Sequence, residues 1–446
     1  MTLRFGTDGL RGVANADLTP ELVTLLGRAA ARVLGSTRFL VGRDTRISGP
    51  MLQAALTAGL TAEGADVGDL GVLPTPGVAW LSAAEDVPAA MISASHNPYP
   101  DNGIKFFAPG GRKLSDEVES ALEDELDRLV AGSGHPGGPT GSSIGRAGPV
   151  EGRDRYVEAL IGLLGAGALR GLALVIDCAN GAASTVAGPV LSALGANVTV
   201  LNDQPDGTNI NNGCGSNHPE GLAKAVVATG ADAGLAFDGD ADRVIAVDHT
   251  GAVVDGDQIL VICSLDRRER GELVGDTVVV TVMANLGLRH VMTKHGINLV
   301  ETGVGDRYVL EQLEAGGWTL GGEQSGHVIF RDLATTGDGI LTGIQVLDIM
   351  RRSGRSLAEL ASVMNRLPQV LRNVVVNGVV SLDGAEPVWQ EVRKAEERLG
   401  ADGRVLVRSS GTEPVVRVMV EAVTLEDAES TCDTLCTAVR AALGGS

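Results

Sequence analysis

Leu172-Ala-Leu-Val-Ile-Asp177 is an apolar run of strand length that ends in a carboxylate; a polar, glycine-containing turn and then a helical pattern follow it. The same plan recurs at Phe39-Leu-Val-Gly-Arg-Asp44 and at Thr277-Val-Val-Val-Thr-Val-Met283. Strand, turn and helix in alternation read as α/β layers with largely parallel strands. The turn letters differ between the three copies, so the triplication is weak. At 446 residues the chain is too long for one core, and two to four domains are expected.

Ala131–Val150 is rich in Gly and Pro and has no hydrophobic period, so it reads as a loop or linker. A second boundary is expected near Asp248–Gly256 and a third near Leu367-Pro368. Beyond that point two helical patterns, Glu386–Leu399 and Leu425–Leu443 with Thr424 as N-cap, alternate with strands Arg404–Arg408 and Val415–Val420. The expected division is 1–135, 151–250, 251–366 and 367–446: three similar mixed α/β domains and a smaller C-terminal α+β domain.

The composition, 44% hydrophobic and 21% charged, is that of a soluble globular protein. Its longest apolar runs are too short to span a bilayer, and the N-terminus lacks the apolar core of a secretory signal. Five cysteines, odd in number and without metal-type spacing, point to the cytoplasm. A net charge of −20 argues against a nucleic-acid partner, because that binding needs a basic surface. An anionic small substrate remains open if basic side chains gather in one cleft.

Five loops hold the informative residues. In Phe237-Asp-Gly-Asp-Ala-Asp-Arg243, Asp238, Asp240 and Asp242 alternate, and three carboxylates so close repel unless solvated or neutralised by a cation. Oxygen ligands of this kind suit Mg2+ or Ca2+. The Gly and Glu positions of a calcium-sensor loop are taken by Arg243 and His249, which excludes that chemistry. In Ile92-Ser-Ala-Ser-His-Asn-Pro98, Ser95 lacks the GxSxG context of a hydrolase elbow. A phosphorylated Ser95 would fit the aspartate trio instead, since a phosphoryl oxygen can complete a Mg2+ shell; Lys105 could supply charge or a base. A plain turn satisfying its own backbone is the alternative. In Arg408-Ser-Ser-Gly-Thr-Glu-Pro414, hydroxyls, free N–H groups and Arg408 with Arg417 suit a phosphate, or simply a hairpin. In Gly321–His327, Glu323 and Ser325 could take sugar hydroxyls and His327 a further polar contact, or the stretch is a tight glycine turn; Arg11 in Phe5–Gly12 could meet a phosphate.

Together the loops FGTDGLRG, SASHNP, DGDADR, GEQSGH and RSSGTEP, in that order, resemble the α-D-phosphohexomutase superfamily over essentially the whole chain. The resemblance implies four domains around a central cleft, with Ser95 carried as phosphoserine. It implies Asp238, Asp240 and Asp242 as Mg2+ ligands, with the Ser95 phosphate completing the site. Glu323 and Ser325 match its sugar-hydroxyl loop; Arg408, Ser410, Gly411, Thr412 and Arg417 match the loop for the non-reacting phosphate. Lys105, Arg11, His96 and Arg243 fall where the family keeps catalytic or phosphate-contacting groups. Ser409 departs from the proline that relatives often have, with Ser410-Gly-Thr412 preserved. Gln324, with Gly303–Val309 in support, points to the branch acting on glucosamine phosphates. The expected reaction interconverts glucosamine 6-phosphate and glucosamine 1-phosphate through a 1,6-bisphosphate, which also serves as primer, on the route to UDP-N-acetylglucosamine. The partner is a small sugar phosphate, the assembly a monomer or homodimer. Alternatives are the same chemistry on glucose or mannose phosphates, a Mg2+-dependent phosphatase, and a silent sugar-phosphate-binding protein.

Overall fold

The computed structural model describes residues 4–6, 9–132, 138–377, 381–382, 384–409 and 414–444. They form two compact units. Residues up to Met283, with Asn298–Ser362, make the first; Ala284–Ile297, with Val363 onward, make the second.

The first unit holds three sheets. The first sheet contains β1 (Phe5–Gly6), β2 (Gly9–Val13), β3 (Arg38–Arg43), β4 (Asp66–Val72), β5 (Ala89–Ile92), β6 (Asp101–Ala108), β7 (Arg112–Lys113) and β8 (Ala147–Pro149). The second contains β9 (Ala173–Asp177), β10 (Asn197–Leu201), β11 (Ala233–Phe237), β12 (Val244–Asp248) and β13 (Val253–Val254). The third contains β14 (Thr277–Thr281), β15 (Asn298–Thr302), β16 (Leu320–Gly322) and β17 (Val328–Phe330). One topology underlies all three. In a four-strand core of each, the strand that comes first in the chain is central, the next two flank it in parallel, and the fourth returns antiparallel beside the third: β4-β3-β5-β6, β10-β9-β11-β12 and β15-β14-β16-β17. The triplication faint in the sequence is therefore explicit in the strand order. Each central parallel strand is a near-continuous apolar run, as a sheet covered on both faces requires; β5, β11 and β14 are buried along their whole lengths.

The Gly/Pro-rich stretch is not a free linker throughout. Ala147–Pro149 pairs in parallel with β4 at the sheet edge, with Val67 N donating to Arg146 O at 2.7 Å and Val150 N to Asp69 O at 2.8 Å. All three strand residues are exposed, so the pairing rests on backbone bonds and leaves no hydrophobic period to read. Near the second expected boundary, Val253–Val254 still pairs with β12, and the helix Gly256–Glu269 then starts under an Asp255–Gln258 capping box.

In the second unit β18 (Gln369–Val375), β19 (Arg404–Ser409) and β20 (Val415–Glu421) form an antiparallel sheet in the order β18-β20-β19. The helices span Glu386–Leu399 and Leu425–Leu443, and Thr424 Oγ1 caps the latter by accepting Asp427 N at 3.1 Å. Val388 and Val392 from one helix and Cys432, Leu435 and Val439 from the other pack onto Val416, Val418 and Val420. Leu435 is fully buried there, and Leu435→Ala would cost about 2–5 kcal/mol. The segment Ala284–Ile297 joins this unit through Asn285, whose Oδ1 accepts Gly287 N and Leu367 N at 3.0 and 3.1 Å.

Candidate active site

The three sheets of the first unit each send the loop between their third and fourth strands to one place, at the carboxyl ends of parallel strands where open α/β sheets bind ligands. These loops follow β5, β11 and β16, and they carry Ser95, the three aspartates and Glu323–His327.

In the first loop Ser95 is 2% exposed and has φ +49°, a left-handed backbone that costs a non-glycine residue about 1–2 kcal/mol. Its neighbours over-determine that conformation. Ser95 N donates to Ser93 Oγ at 2.9 Å, Ser93 Oγ donates to Asp44 Oδ2 at 2.7 Å, and Asn211 Nδ2 donates to the Ser95 and Asn97 carbonyls at 2.9 and 3.1 Å. The Ser95 hydroxyl donates to Asp238 Oδ2 at 2.6 Å.

The second loop brings Asp238, Asp240 and Asp242 together, with ligating oxygens within 4.8 Å of one another and every residue buried. Gly239 is a required contact: a Cβ there would lie 2.5 Å from Ser95 O. Asp240 Oδ2 accepts Lys105 Nζ at 2.8 Å and Thr75 Oγ1 at 2.5 Å; Lys105 Nζ also lies 3.5 Å from Asp242 Oδ2. Burial acts to raise Asp240, but the Lys105 charge and hydrogen bonds carry it well below the usual carboxylate range. Asp238 goes the other way, pushed up by burial and then by the Asp242 and Asp240 charges. Asp240 Oδ1 and Asp242 Oδ1 are buried and accept no hydrogen bond. A buried acceptor left unpaired costs about 1–3 kcal/mol, more when charged. Two such oxygens beside a third carboxylate form a hard-oxygen set with excess negative charge, which fits Mg2+.

His96 Nδ1 lies 3.0 Å from Arg243 Nη1 and 3.4 Å from Ser95 Oγ. Arg243 can only donate, so Nδ1 is the acceptor and the imidazole is neutral. Burial first, and then Arg243 and Arg11, push His96 down to about 4. Arg11 comes from β2, where it faces Gly103 of β6, two residues from Lys105.

The third loop joins the second through its backbone, Val244 N donating to Gly326 O at 3.1 Å. Glu323 Oε1 accepts Gly305 N at 3.3 Å, and burial raises its carboxyl. Ser325 is exposed. His327 is 1% exposed, with Nε2 at 3.2 Å from Asp306 Oδ2 and 4.0 Å from Asp242 Oδ2. Lys113 Nζ donates to both oxygens of Asp306, at 2.7 and 2.5 Å. Burial acts to raise Asp306, but Lys113 and then His327 hold it well below the usual carboxylate range.

In the second unit Arg408 and Arg417 are directly opposed across β19 and β20. Burial, and then the neighbouring Arg417 charge, lower Arg408. Ser410, Gly411 and Thr412 lie outside the described residues.

Sequence reasoning missed Asp44, Arg46, Thr75, Asn211, Lys113 and Asp306. One signal was available: charged residues cluster right after a strand in Gly42-Arg-Asp-Thr-Arg46, at the carboxyl end of β3. Asp306 lies in Gly303–Val309, a stretch read only as support for the choice of sugar; Thr75, Asn211 and Lys113 contact the site from distant parts of the chain and leave no local pattern.

Four family models match the chain, all described as phosphoglucomutase/phosphomannomutase: α/β/α domain I over residues 2–131, domain II over 154–251, domain III over 255–367 and the C-terminal domain over 350–438. A phosphoglucosamine mutase of Saccharopolyspora erythraea is 56% identical, with 95% of each chain covered. One of Rhodococcus opacus is 54% identical over 97% of this chain and 98% of its own. A crystal structure of a phosphoglucomutase/phosphomannomutase family protein from Burkholderia thailandensis, 28% identical, matches with a TM-score of 0.82 over 100% of this chain and 98% of its own. With its repeated sheets, its loops and these likenesses taken together, the chain belongs to the phosphoglucomutase/phosphomannomutase family.

Proposed function

We propose that the chain is a phosphoglucosamine mutase, interconverting glucosamine 6-phosphate and glucosamine 1-phosphate. The observation that carries this reading is the Ser95 hydroxyl, held 2.6 Å from Asp238 inside a buried group of three carboxylates and a lysine. The choice of sugar rests on the relatives above, which carry that name.

In this reading Ser95 is resident as phosphoserine. Its phosphoryl group passes to O1 of glucosamine 6-phosphate: the Ser Oγ–P bond breaks, an O1–P bond forms, and the O1 proton leaves to a base. The resulting 1,6-bisphosphate turns end for end. The 6-phosphoryl group then returns to Ser95 and releases glucosamine 1-phosphate. Free 1,6-bisphosphate primes an unphosphorylated chain. Asp238, Asp240 and Asp242, with a phosphoryl oxygen on Ser95, would hold Mg2+, which would neutralise charge on the transferring oxygens.

Lys105 is the proton carrier. As the ammonium held by Asp240 it donates to the departing serine oxygen, and as the amine it accepts from the attacking hydroxyl. His96, Arg243 and Arg11 supply hydrogen bonds and positive charge to the phosphoryl group. Glu323 and Ser325 bind sugar hydroxyls, and His327 braces that loop through Asp306. Arg408 and Arg417, with Ser410, Gly411 and Thr412, bind the phosphate that is not reacting. The working parts divide as 1–135, 151–250, 251–366 and 367–446, in a cytoplasmic enzyme.

A coupled mutase assay with Mg2+ and a trace of 1,6-bisphosphate, run in parallel on the 6-phosphates of glucosamine, glucose and mannose, tests this. The expected result is the highest kcat/KM for glucosamine 6-phosphate. A preference for glucose or mannose would overturn the choice of sugar, and release of inorganic phosphate alone would overturn the mutase chemistry.

A further inference from the structure

Arg46 is fully buried, yet none of the chemistry above uses it. Its guanidinium has five N–H donors, one spent on Asp44 and four on backbone carbonyls between Ser95 and Asp101. Nε donates to Asp44 Oδ2 at 2.8 Å. Nη1 donates to the carbonyls of Pro98 and Asp101 at 2.5 and 3.0 Å. Nη2 donates to the carbonyls of Ser95 and Asn97 at 2.9 and 2.8 Å. These four carbonyls lie along the turn that joins β5 to β6 and carries Ser95, the last of them at the first residue of β6.

Asp44 closes the circuit. Its backbone N donates to Ile92 O at 3.0 Å, and its Oδ1 accepts Arg46 N at 2.9 Å. Its Oδ2 accepts the Ser93 hydroxyl that in turn accepts Ser95 N. The buried ion pair therefore grips the serine from both sides, through its N–H and through its carbonyl. A turn with four inward carbonyls and a left-handed serine has no regular secondary structure to hold it. A planar five-donor fork supplies the missing bonds in one fixed geometry, which an ammonium with three donors cannot reproduce.

We propose that Arg46, braced by Asp44, is a positioning residue for phosphoryl transfer: it fixes the backbone of Ser95–Asp101 so that Ser95 Oγ is aimed at Asp238. This rests on the mutase reading above. Arg46 touches neither the reacting oxygen nor, on that reading, the sugar, so its loss acts on kcat and spares KM. A displacement of about 1 Å at a reacting atom can lower a rate about 100-fold.

The test compares wild type with Arg46→Lys, which keeps the charge beside Asp44 and removes the fork. Steady-state kinetics with glucosamine 6-phosphate are paired with thermal unfolding and with the 31P resonance of the phosphoserine. The expected result is a kcat about 100-fold lower, a KM within about twofold of wild type, and a shifted or broadened phosphoserine resonance in a folded protein. A folded Arg46→Lys with kcat within about threefold of wild type, or with its loss mainly in KM, would overturn the proposal. Should Arg46→Lys fail to fold, Ser93→Ala decides, because it leaves the ion pair intact and cuts only the link from Asp44 to Ser95 N. A kcat lowered about tenfold at unchanged KM supports the clamp, and wild-type kcat removes it. Wild-type protein with no turnover on any of the three sugar phosphates would defeat the mutase reading, a result read separately from the variant-to-wild-type ratio.

Discussion

The loop after β5 and the loop after β11 occupy the same position in two copies of one sheet topology, yet they are stabilised in opposite ways. In the first, backbone polarity is fully satisfied: the Ser95 carbonyl accepts from both Arg46 and Asn211. In the second, side-chain polarity is under-satisfied, with Asp240 Oδ1 and Asp242 Oδ1 buried and accepting nothing. A loop that must present one hydroxyl in a strained conformation needs a rigid backbone. A loop that must collect a cation needs free oxygens, and it tolerates their repulsion because Lys105 and a metal can offset it. The fold sets where each loop arrives; the bonds it makes or withholds there set its chemistry.

The largest effect belongs to the hydroxyl itself. Ser95→Ala should lower mutase turnover by at least about 1000-fold while the protein still folds and unfolds cooperatively, since the oxygen removed makes one short side-chain bond, to Asp238, and lies outside the hydrophobic core. Retained turnover would show that the first loop is merely structural, and the contrast between the loops would collapse.

Asp240→Asn attacks the second loop. It should lower activity about 100-fold and raise the Mg2+ concentration for half-maximal stabilisation at least tenfold. A readout independent of activity is thermal unfolding: an ion at 100 times its Kd stabilises the wild type by about 2.7 kcal/mol, and the variant should lose most of that gain. Equal Mg2+ responses in the two proteins would mean that the orphaned oxygens serve no cation.

Arg417→Ala should raise KM about tenfold with kcat changed less than threefold, as expected for a group that binds without reacting. A fall confined to kcat would move Arg417 out of the binding set.

The last prediction concerns stability alone. Asp338 caps the helix Gly339–Ser353, whose first N–H supports the aspartate loop by donating to Ala241 O at 3.0 Å. Burial raises its carboxyl from 3.8 to about 6, against hydrogen bonds from Leu341 N and Tyr156 Oη. The native state thus holds this proton more tightly than the unfolded chain. Its stabilising contribution is complete below about pH 4 and is lost as pH rises through 6, a change of order 3 kcal/mol. Asp338→Asn should flatten the unfolding free energy between pH 4 and 6. An unchanged slope would mean that this carboxylate is not under strain.

What could be read from the sequence followed the physics of each element. The helices Glu386–Leu399 and Leu425–Leu443 were legible to the residue because each buries one apolar stripe between clear caps. The aspartate cluster was legible because three alternating carboxylates repel unless a cation or solvent offsets them, whereas the Ser95 stretch alone reads equally as a turn and stood out through its resemblance to a family loop. The strand Ala147–Pro149 was not, since an exposed edge strand paired only through its backbone imposes no side-chain pattern. Arg46 and Asp44 were visible as letters but not as a clamp: their partners lie some fifty positions along the chain, and only the parallel pairing of β3 with β5 brings them together. Asp306 and Lys113 meet across an even longer separation, as an ion pair that no local window contains.

The central claim is that Ser95 carries a phosphoryl group between sugar oxygens. Incubating the protein with 32P-labelled glucose 1,6-bisphosphate and Mg2+, mapping the label by peptide, and then chasing with unlabelled glucosamine 6-phosphate tests it most directly. The account predicts label on the peptide containing Ser95, absent from Ser95→Ala, and its transfer on chase into glucosamine phosphate. Label on another residue, or label that leaves Ser95 only as inorganic phosphate, would contradict it.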